Sequence, residues 1–388
     1  MAEKIVNVVP AMLKWARESQ GYSIHDVALQ LRRDPAEIEA WESGKAAPTY
    51  GQLEKVAYKL YKRPLAVFFL PKPPSEPSLK KEFRTLPEFE IETLASDTRY
   101  QLRFASALQL SLKELNNGIN RSQRKIFRDI KLSDTATIRQ QAARVRKYLG
   151  ISLALQSSWK SAEVALKAWR NAVEDSGVYV FKHAFKQQEI SGFCLLDVEF
   201  PLIYLNNSTT KTRQIFSLFH ELAHLLFNVN GISKFEIDYV DRLPQQQRRV
   251  ERFCNALTAE LLMPSGDFEK RLNALGEVSD QSVEQLATRY SVSREAVLRR
   301  LLDKKLVSKA FYTKRAAEWA AQIEGESGSG GNYYATQATY LGERYLQLVF
   351  GEYYKGHLTL EQAADHLGVR TRSVAGLEDL VLRKSMPA

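Results

Sequence analysis

The chain has 388 residues, of which 44% are hydrophobic, and it carries a net charge of +10 at pH 7. This length and apolar content suffice for two or three separate cores, so we expect a multidomain protein. No stretch approaches the ~18 consecutive apolar residues of a membrane span, and the N-terminal sequence lacks the pattern of a secretory leader. Cys194 and Cys254 are too few for a disulfide framework or a CxxC metal site. We therefore expect a cytoplasmic protein without membrane contact, with two ordinary buried thiols.

The positive charge favours an acidic partner such as nucleic acid, and it is concentrated in two parts of the chain. Residues 121–147 contain nine basic side chains against two acidic ones, and residues 289–315 contain nine against two. Both parts have helical spacing, so they form either solvated helix faces or stripes that face phosphate groups.

The first domain is predicted to comprise residues 1–71 and to be all-α. Pro10, Ser23, Asp34 and Thr49 each stand directly before a run with helical apolar spacing, which predicts four or five short helices. Several prolines follow within a few residues and predict a stiff extended connector.

Within this domain, the sequence SIHDVALQLRRDPAEIEAWESG predicts two short helices joined by a tight turn, the arrangement of a helix-turn-helix. The residues WESGKAAPT resemble the segment after the second helix in the Xre/Cro-repressor class, and the resemblance covers residues 11–70. It implies that this domain binds DNA.

The charge of the second helix leaves two roles open. Residues 34–42 contain four acidic side chains and no basic one, whereas DNA is usually contacted by Arg, Lys, Asn or Gln. Arg32, Arg33 and Lys45 flank this helix and are the DNA-binding candidates, because they could hold phosphate groups while the helix contacts few bases. The alternative is a surface that docks a protein or joins two copies of the chain in a homodimer.

Residues 72–150 are predicted to form a linker and a helical connector, because helical spacing with few helix breakers sets in after the prolines. The spacing of the apolar residues then changes from a helical to a strand-like pattern. VYVFKHAF from Val178 and FCLLDVEFPLIYLNN from Phe193 are rich in β-branched and aromatic residues, so they predict short strands. Helical spacing resumes at Thr212 and continues to about Ile323.

These elements predict an α+β domain with a small sheet at residues 151–324, and a fold that is mainly α overall. The stretch GESGSGG, residues 325–331, predicts a flexible break, after which residues 333–382 again have helical spacing. Residues 325–388 are therefore predicted to be a flexible linker followed by a helical tail.

The stretch FSLFHELAHLLF contains a compact group of metal-binding side chains. His220 and His224 lie four residues apart on one helix face, where both imidazoles can aim at a point about 2 Å from each. Glu221 projects from the adjacent position and can take a proton from a metal-bound water molecule there. The helix is apolar nearly all round, so its histidines are buried and need partners, which a metal ion supplies. We predict a Zn²⁺ site; the alternative is two hydrogen-bonded core histidines.

A catalytic zinc site uses three protein ligands and an open position, and no third histidine follows closely. The acidic residues downstream are Glu236, Asp238, Asp241, Glu251 and Glu260. Glu251 is the predicted third ligand because it opens a second apolar helix, on which Asn255 one turn later is a candidate for supporting the site. Glu260 is the alternative ligand, and otherwise it is a surface or helix-capping acid before a proline.

Three stretches, ISGFCLLDVEFPLIYLNN, RQIFSLFHELAHLLF and ERFCNALTAELLMP, together resemble the ImmA/IrrE family of zinc metallopeptidases. The resemblance covers roughly residues 170–305 and implies a zincin-like peptidase fold. It also implies that His220, His224 and Glu251 bind zinc and that Glu221 is the general base.

One residue departs from the family pattern. Cys254 stands where the family usually has alanine before Asn255. We expect a small buried replacement, and the alternative is a thiol that perturbs the metal.

The combination of a helix-turn-helix with this domain predicts a zinc-dependent endopeptidase and transcriptional regulator. As the resemblance implies, it would cut a repressor or another regulatory protein, such as the product of a neighbouring gene, in response to a signal. Zinc would activate a water molecule, Glu221 would accept its proton, and the strand ending at Asn206 could dock an extended substrate. The alternative is a non-catalytic DNA-binding regulator or antitoxin-like protein whose zincin fold binds a partner. General proteolysis is disfavoured because the helix-turn-helix suggests a defined target.

Two further segments have a two-helix pattern: SVEQLATRYSVSREAVLRRLLD near residues 282–302, and TLEQAADHLGVRTRSVAGLEDL in the tail. The first contains Arg294, Arg299 and Arg300, and it is expected to complete the helical part of the peptidase domain. The second is expected to provide a dimer or partner surface. DNA binding is the alternative for both.

Overall fold

The computed structural model describes residues 7–74, 91–133, 136–234, 239–323 and 332–385. Residues 75–90 of the predicted linker lie outside these described residues, as do the GESGSGG break and the candidate acids Glu236 and Asp238. The chain divides into two compact units, Met1–Phe104 and Ala105–Ala388. In the described parts of both units, no helix is long and apolar enough to cross a membrane.

The first unit is helical. Its elements are α1 (Pro10–Ser19), α2 (Ile24–Leu31), α3 (Pro35–Ser43), α4 (Tyr50–Glu54) with a π-helical continuation (Lys55–Tyr61), and a 3-10 helix (Leu65–Phe69). The four predicted helix starts are confirmed: Pro10 is the first residue of α1, and Ser23, Asp34 and Thr49 each accept a hydrogen bond from an amide in the first turn. These caps show why short helices of modest propensity form here.

The second unit begins inside a long helix and contains one sheet. Its helices are α5 (Ser96–Leu115, which contains the division), α6 (Ile126–Asp129), α7 (Ile138–Leu149), α8 (Leu153–Ser157), α9 (Ala162–Asp175), α10 (Lys211–Leu226), α11 (Tyr239–Arg242), α12 (Gln245–Leu262), α13 (Ser265–Leu275), α14 (Asp280–Tyr290), α15 (Arg294–Asp303), α16 (Lys309–Ile323), α17 (Tyr333–Leu341), α18 (Glu343–Tyr354), α19 (Leu360–Leu367) and α20 (Val374–Ser385). A mainly helical protein with a small sheet was predicted, and the structure has this composition.

The sheet has four strands in the order β1-β3-β2-β4: β1 (Tyr179–His183), β2 (Ile190–Leu195), β3 (Leu202–Asn206) and β4 (Gly231–Lys234). β1 runs parallel to β3, whereas β2 is antiparallel to both β3 and β4. Two sequence predictions are wrong here. Strand β4 interrupts the region predicted to be wholly helical, and β3, the strand ending at Asn206, has both edges paired, so it cannot dock a substrate.

One face of the sheet packs on α9 and α10 around Trp169. Its indole is fully buried and meets the rings of Trp159 and Phe219 edge-on, with centroids 5.3 and 4.8 Å away. Strand residues Val180 and Ile203 join the same apolar core. This core holds α10 against the sheet.

The predicted tail is helical, and its helices α17 and α18 pack on the outer strand β1. Tyr345 of α18 contacts Phe181 of β1 edge-on at a centroid distance of 5.2 Å. Arg170 of α9 donates a hydrogen bond of 2.8 Å to the carbonyl of Thr339 in α17. The C-terminal helices therefore belong to the same unit as the sheet.

Candidate metal centre

Helix α10 places three polar side chains in the apolar core. Thr210 caps its start by accepting a hydrogen bond of 3.3 Å from the amide of Arg213. The helix is buried through most of its length, and His220, Glu221 and His224 are all buried within it. Such groups are costly to bury unless they are paired or bind a metal ion.

Helix α12 brings a carboxylate to the same place. Its last carbonyls have no partner within the helix, and two side chains from elsewhere bind them. Arg146 of α7 donates to the carbonyl of Leu261 at 2.9 Å, and Gln156 of α8 donates to that of Leu262 at 3.0 Å. These contacts fix the axial position of α12 and hence of Glu251 in its second turn.

His220, His224 and Glu251 converge on one point. Nε2 of His220 lies 3.1 Å from Oε2 of Glu251, Nε2 of His224 lies 3.2 Å from Oε1, and the two Nε2 atoms are 3.0 Å apart. In a tetrahedral zinc site with bonds of about 2.1 Å, ligand atoms are about 3.4 Å apart. The donor set and the spacing both fit a metal ion. Among the described residues, His220, His224 and Glu251 form the group of His, Cys, Asp or Glu side chains that could hold one.

The carboxylate of Glu251 is held in its charged form. Burial by itself raises its pKa, but the imidazoles of His224 and His220 outweigh burial and hold the pKa well below its usual range. A charged carboxylate with two imidazoles is the donor set that zinc takes in many hydrolytic enzymes.

Glu221 lies beside this group without lining the cleft in front of it. Ser233 of β4 donates a hydrogen bond to its Oε1, and its Oε2 has no nitrogen or oxygen partner among the described residues. Ser233 itself lines the cleft. The β4 serine, which the sequence analysis missed, therefore links Glu221 to the cleft.

A turn after α10 leads into β4, which passes close to the candidate ligand His224. Asn228 in this turn has a φ of +58°. Gly231, the first residue of β4, passes so close to His224 that an added Cβ would lie 2.8 Å from two carbons of the imidazole ring. Only glycine allows this approach, because other residues place a carbon inside van der Waals contact.

Both cysteines are buried beside the centre. Cys254 interacts with the ring of His224, and Cys194 lies near Glu221. Burial raises the pKa of both thiols, so they remain neutral, and neither belongs to the group of metal-binding side chains. Cys254 has the packing expected of a small buried replacement.

The two remaining candidates do not join the ligands. Glu260 accepts hydrogen bonds from the amide and hydroxyl of Ser265 at 2.8 and 2.6 Å and pairs with Arg300 at 2.5 Å. It therefore caps α13, the role considered as its alternative. Asn255 lines the cleft, but it makes no hydrogen bond to a candidate ligand among the described residues.

The centre opens into a cleft of about 1000 Å³. His220 and Glu251 line it together with residues of α15 and α16, including Arg299 and Tyr312. Two arginines of the two-helix segment α14–α15 contact the rest of the second unit: Arg299 lines the cleft, and Arg300 pairs with Glu260. This arrangement favours the expectation that the segment completes this domain.

In the first unit, α2 and α3 are joined by three residues, of which Arg32 has a left-handed φ of +55°. Arg32, Arg33 and Lys45 are exposed at the two ends of α3. A guanidinium nitrogen of Arg33 lies 3.7 Å from the carboxylate of Glu37 in α3. The DNA-binding candidates are therefore accessible.

Several acidic residues of α3 have partners within the unit. Asp34 caps the helix, accepting a hydrogen bond of 2.9 Å from the amide of Ala36. Glu42 receives two hydrogen bonds from Arg17, at 2.7 and 2.9 Å. The acidic composition of α3 thus partly reflects folding.

Many basic residues of the two positively charged parts also stabilise the fold. Lys125 and Arg128 bind Glu199, and Arg289 pairs with Asp267 at 3.0 Å. Lys125 and Arg289 are thus held in ion pairs, whereas Arg128 is also exposed, as expected of a solvated face.

Residues 173–302 match the family model Peptidase_M78, described as the IrrE N-terminal-like domain. The matched range is about one third of the chain and contains all three candidate ligands. It supports the ImmA/IrrE resemblance for this part and indicates a metallopeptidase-like fold of that type. A comparison of the chain with curated proteins finds no match.

The two glutamates of α12 can be distinguished by replacement. Glu251→Gln should weaken Zn²⁺ binding by about 100-fold or more, since even residues that only orient a ligand cost 10–100-fold when changed. The matched control, Glu260→Gln, should leave Zn²⁺ affinity unchanged. The measurement is competition with a zinc-binding dye, and equal affinities of the two variants would contradict the assignment of Glu251.

The contact of Gly231 with His224 gives a second prediction. Gly231→Ala should displace the imidazole and weaken Zn²⁺ binding by about 10–100-fold, the range for disturbed ligand orientation. The control is Gly351→Ala in α18, where an added Cβ meets no atom within 4 Å. The same dye competition is used, and an unchanged affinity of Gly231→Ala would show that His224 is not a ligand.

Proposed function

We propose that the second unit is a zinc-dependent endopeptidase of the ImmA/IrrE type. The observation that carries this proposal is the convergence of His220, His224 and Glu251 at 3.0 to 3.2 Å at the side of an open cleft. Glu221, adjacent to His220, is the carboxylate that such chemistry requires. The family match of residues 173–302 supports the same class of activity.

The residues have distinct roles in this mechanism. His220, His224 and Glu251 hold Zn²⁺, which when bound supplies a Lewis acid that activates water and polarises the substrate carbonyl. Glu221 accepts the proton of the attacking water and passes it to the leaving nitrogen of the peptide. Ser233 orients Glu221 through its hydrogen bond and stands between this carboxylate and the cleft.

The outer strand β4 is the docking edge that fits this site. β2 pairs with one of its edges, and no described strand pairs with the other. An extended peptide can add to such an edge through main-chain hydrogen bonds. Since Ser233 of β4 lines the cleft, a peptide bound there would lie next to the metal ligands.

The expected substrate is a regulatory protein in the cytoplasm, such as a repressor or the product of a neighbouring gene. The first unit supports a defined target, because α2, its three-residue turn and α3 have the order and lengths of a helix-turn-helix. Two free, buried cysteines suit a reducing compartment.

One observation favours a second candidate function. Glu221 is fully buried behind Ser233 and does not line the cleft. A unit that keeps this geometry would bind a partner in the cleft without cutting it, as a non-catalytic regulator or antitoxin-like protein does.

Glu221→Gln separates the two functions. The zinc-loaded protein is incubated with the product of the neighbouring gene, and fragments are followed by mass spectrometry. The peptidase proposal expects a specific cut that Glu221→Gln slows by about 10²–10⁴-fold, the usual contribution of a general base. The zinc content of the variant should stay unchanged. A partner that binds both forms equally without being cut would support the second function.

For the first unit, we propose DNA binding through phosphate contacts at Arg32, Arg33 and Lys45. Lys45→Gln should weaken binding of the full chain in a gel-shift assay and reduce the slope of log K against log salt by about 0.9. Lys59→Gln, an exposed lysine of the π-helical segment, is the control. A shift that is absent or independent of salt would instead indicate a protein-docking surface.

A further inference from the structure

A second cavity in the same unit has no role in the proposed peptidase. It has a volume of about 670 Å³ and is lined by Trp159 and Trp319, so we call it the tryptophan cavity. Its other walls include the first residues of α9, α10 and α15. Sites for small molecules in proteins have volumes of about 300–1,000 Å³, and they combine apolar walls with a few convergent polar groups.

Charged side chains line the tryptophan cavity with an excess of positive charge. Lys160, Arg213 and Arg294 are present, against Glu284 and Glu295. The closest contacts of the two ion pairs, Arg294 with Glu284 and Arg213 with Glu295, are 3.6 Å each. Both contacts are longer than tight charge-assisted hydrogen bonds, which measure about 2.7–2.9 Å.

Burial strengthens the case for an anion at Arg213. Removal from water lowers the pKa of this guanidinium, and Glu295 only partly opposes the effect. A further negative charge beside it would stabilise the charged form. Lys160 at the mouth is exposed and has no ion-pair partner among the described residues.

The helix ends add to the same preference. α9, α10 and α15 have 14, 16 and 10 residues, and each turns its positive N-terminal end toward the tryptophan cavity. The cap side chains of Ser161, Thr210 and Ser293 each engage one amide of the first turn. These ends support the cationic side chains in attracting a negative charge.

One indole, that of Trp159, offers a surface to a flat ring, whereas Trp319 is buried in the wall. Arg294 lies over the ring of Trp319 at 4.9 Å, which orients both groups in the wall. Trp159 is half-buried and is held edge-on by Trp169. Aromatic walls of this kind favour flat or stacked ligands.

We propose that the tryptophan cavity binds a small organic anion that joins a negative charge to a flat ring, such as a nucleoside monophosphate.

This site adjoins the metal cleft through one ion pair. Arg213 and Glu295 line both the tryptophan cavity and the cleft. Glu295 also accepts a hydrogen bond of 3.0 Å from the hydroxyl of Tyr312 in the cleft wall. The ion pair of Arg213 and Glu295 is therefore shared by the walls of the two spaces.

The first experiment is isothermal titration of the full chain with adenosine monophosphate, adenosine and inorganic phosphate. We expect the monophosphate to bind at least about 10-fold more tightly than adenosine or inorganic phosphate alone, because its base contacts an indole ring while its phosphate contacts the cationic side chains. Absence of binding by the monophosphate would overturn the proposal. Equal affinity for inorganic phosphate would overturn the requirement for a ring.

Matched variants test whether the monophosphate binds in the tryptophan cavity. Lys160→Gln and Arg294→Gln should each weaken monophosphate binding by about 10-fold, the scale of one charge-assisted hydrogen bond. The controls are Lys167→Gln, an exposed lysine of α9, and Arg299→Gln, which faces the cleft from the same helix as Arg294. Because Lys160 is exposed, its replacement should not affect folding. Binding that is unchanged in Lys160→Gln and Arg294→Gln overturns the site.

A peptide ligand is tested in parallel with a short acidic peptide. We expect it to bind more weakly than adenosine monophosphate and to be displaced by it. A peptide that binds more tightly and loses affinity in Lys160→Gln would overturn the small-molecule assignment.

Discussion

The packing of α10 on α12 is the constraint on which the metal centre depends. It brings two imidazoles and a carboxylate together in a core that is otherwise apolar, at distances of 3.0 to 3.2 Å. Nδ1 of His224 has no nitrogen or oxygen partner among the described residues, and the thiol of Cys254 interacts with this ring. A metal ion held between the two Nε2 atoms and the carboxylate of Glu251 would offset the cost of burying these groups.

The part of the site that follows helical periodicity could be predicted from the sequence. His220 and His224 followed from spacing, because they are one turn apart. Glu251 was chosen as the residue that opens a second apolar helix, but α12 begins earlier, at Gln245, and carries Glu251 in its second turn. Ser233 and Gly231 could not be found in this way. They lie on a strand of four residues, too short to give a periodic signal, and their roles come from its pairing with β2. The strand order likewise depends on long-range pairing, which is why the docking edge was assigned to the wrong strand.

Charge counts predicted less than apolar patterns did. An acidic helix and two basic segments suggested opposite partners, but Glu42 is bound to Arg17, and Arg289 to Asp267. The sequence gives the number of charges, whereas the fold decides which of them are neutralised internally. Only side chains left accessible, such as Arg32 and Lys45, remain available to a partner.

The contacts at the C-terminal end of α12 show which part of the chain is needed to position Glu251. Arg146 and Gln156 hold the last carbonyls of the helix that carries Glu251. Both precede residue 173, where the family match begins. A fragment of residues 173–302 would keep all three candidate metal ligands and lose both side chains that bind the end of α12. The part of the chain that positions Glu251 is therefore longer than the part that matches the family, because it includes α7 and α8.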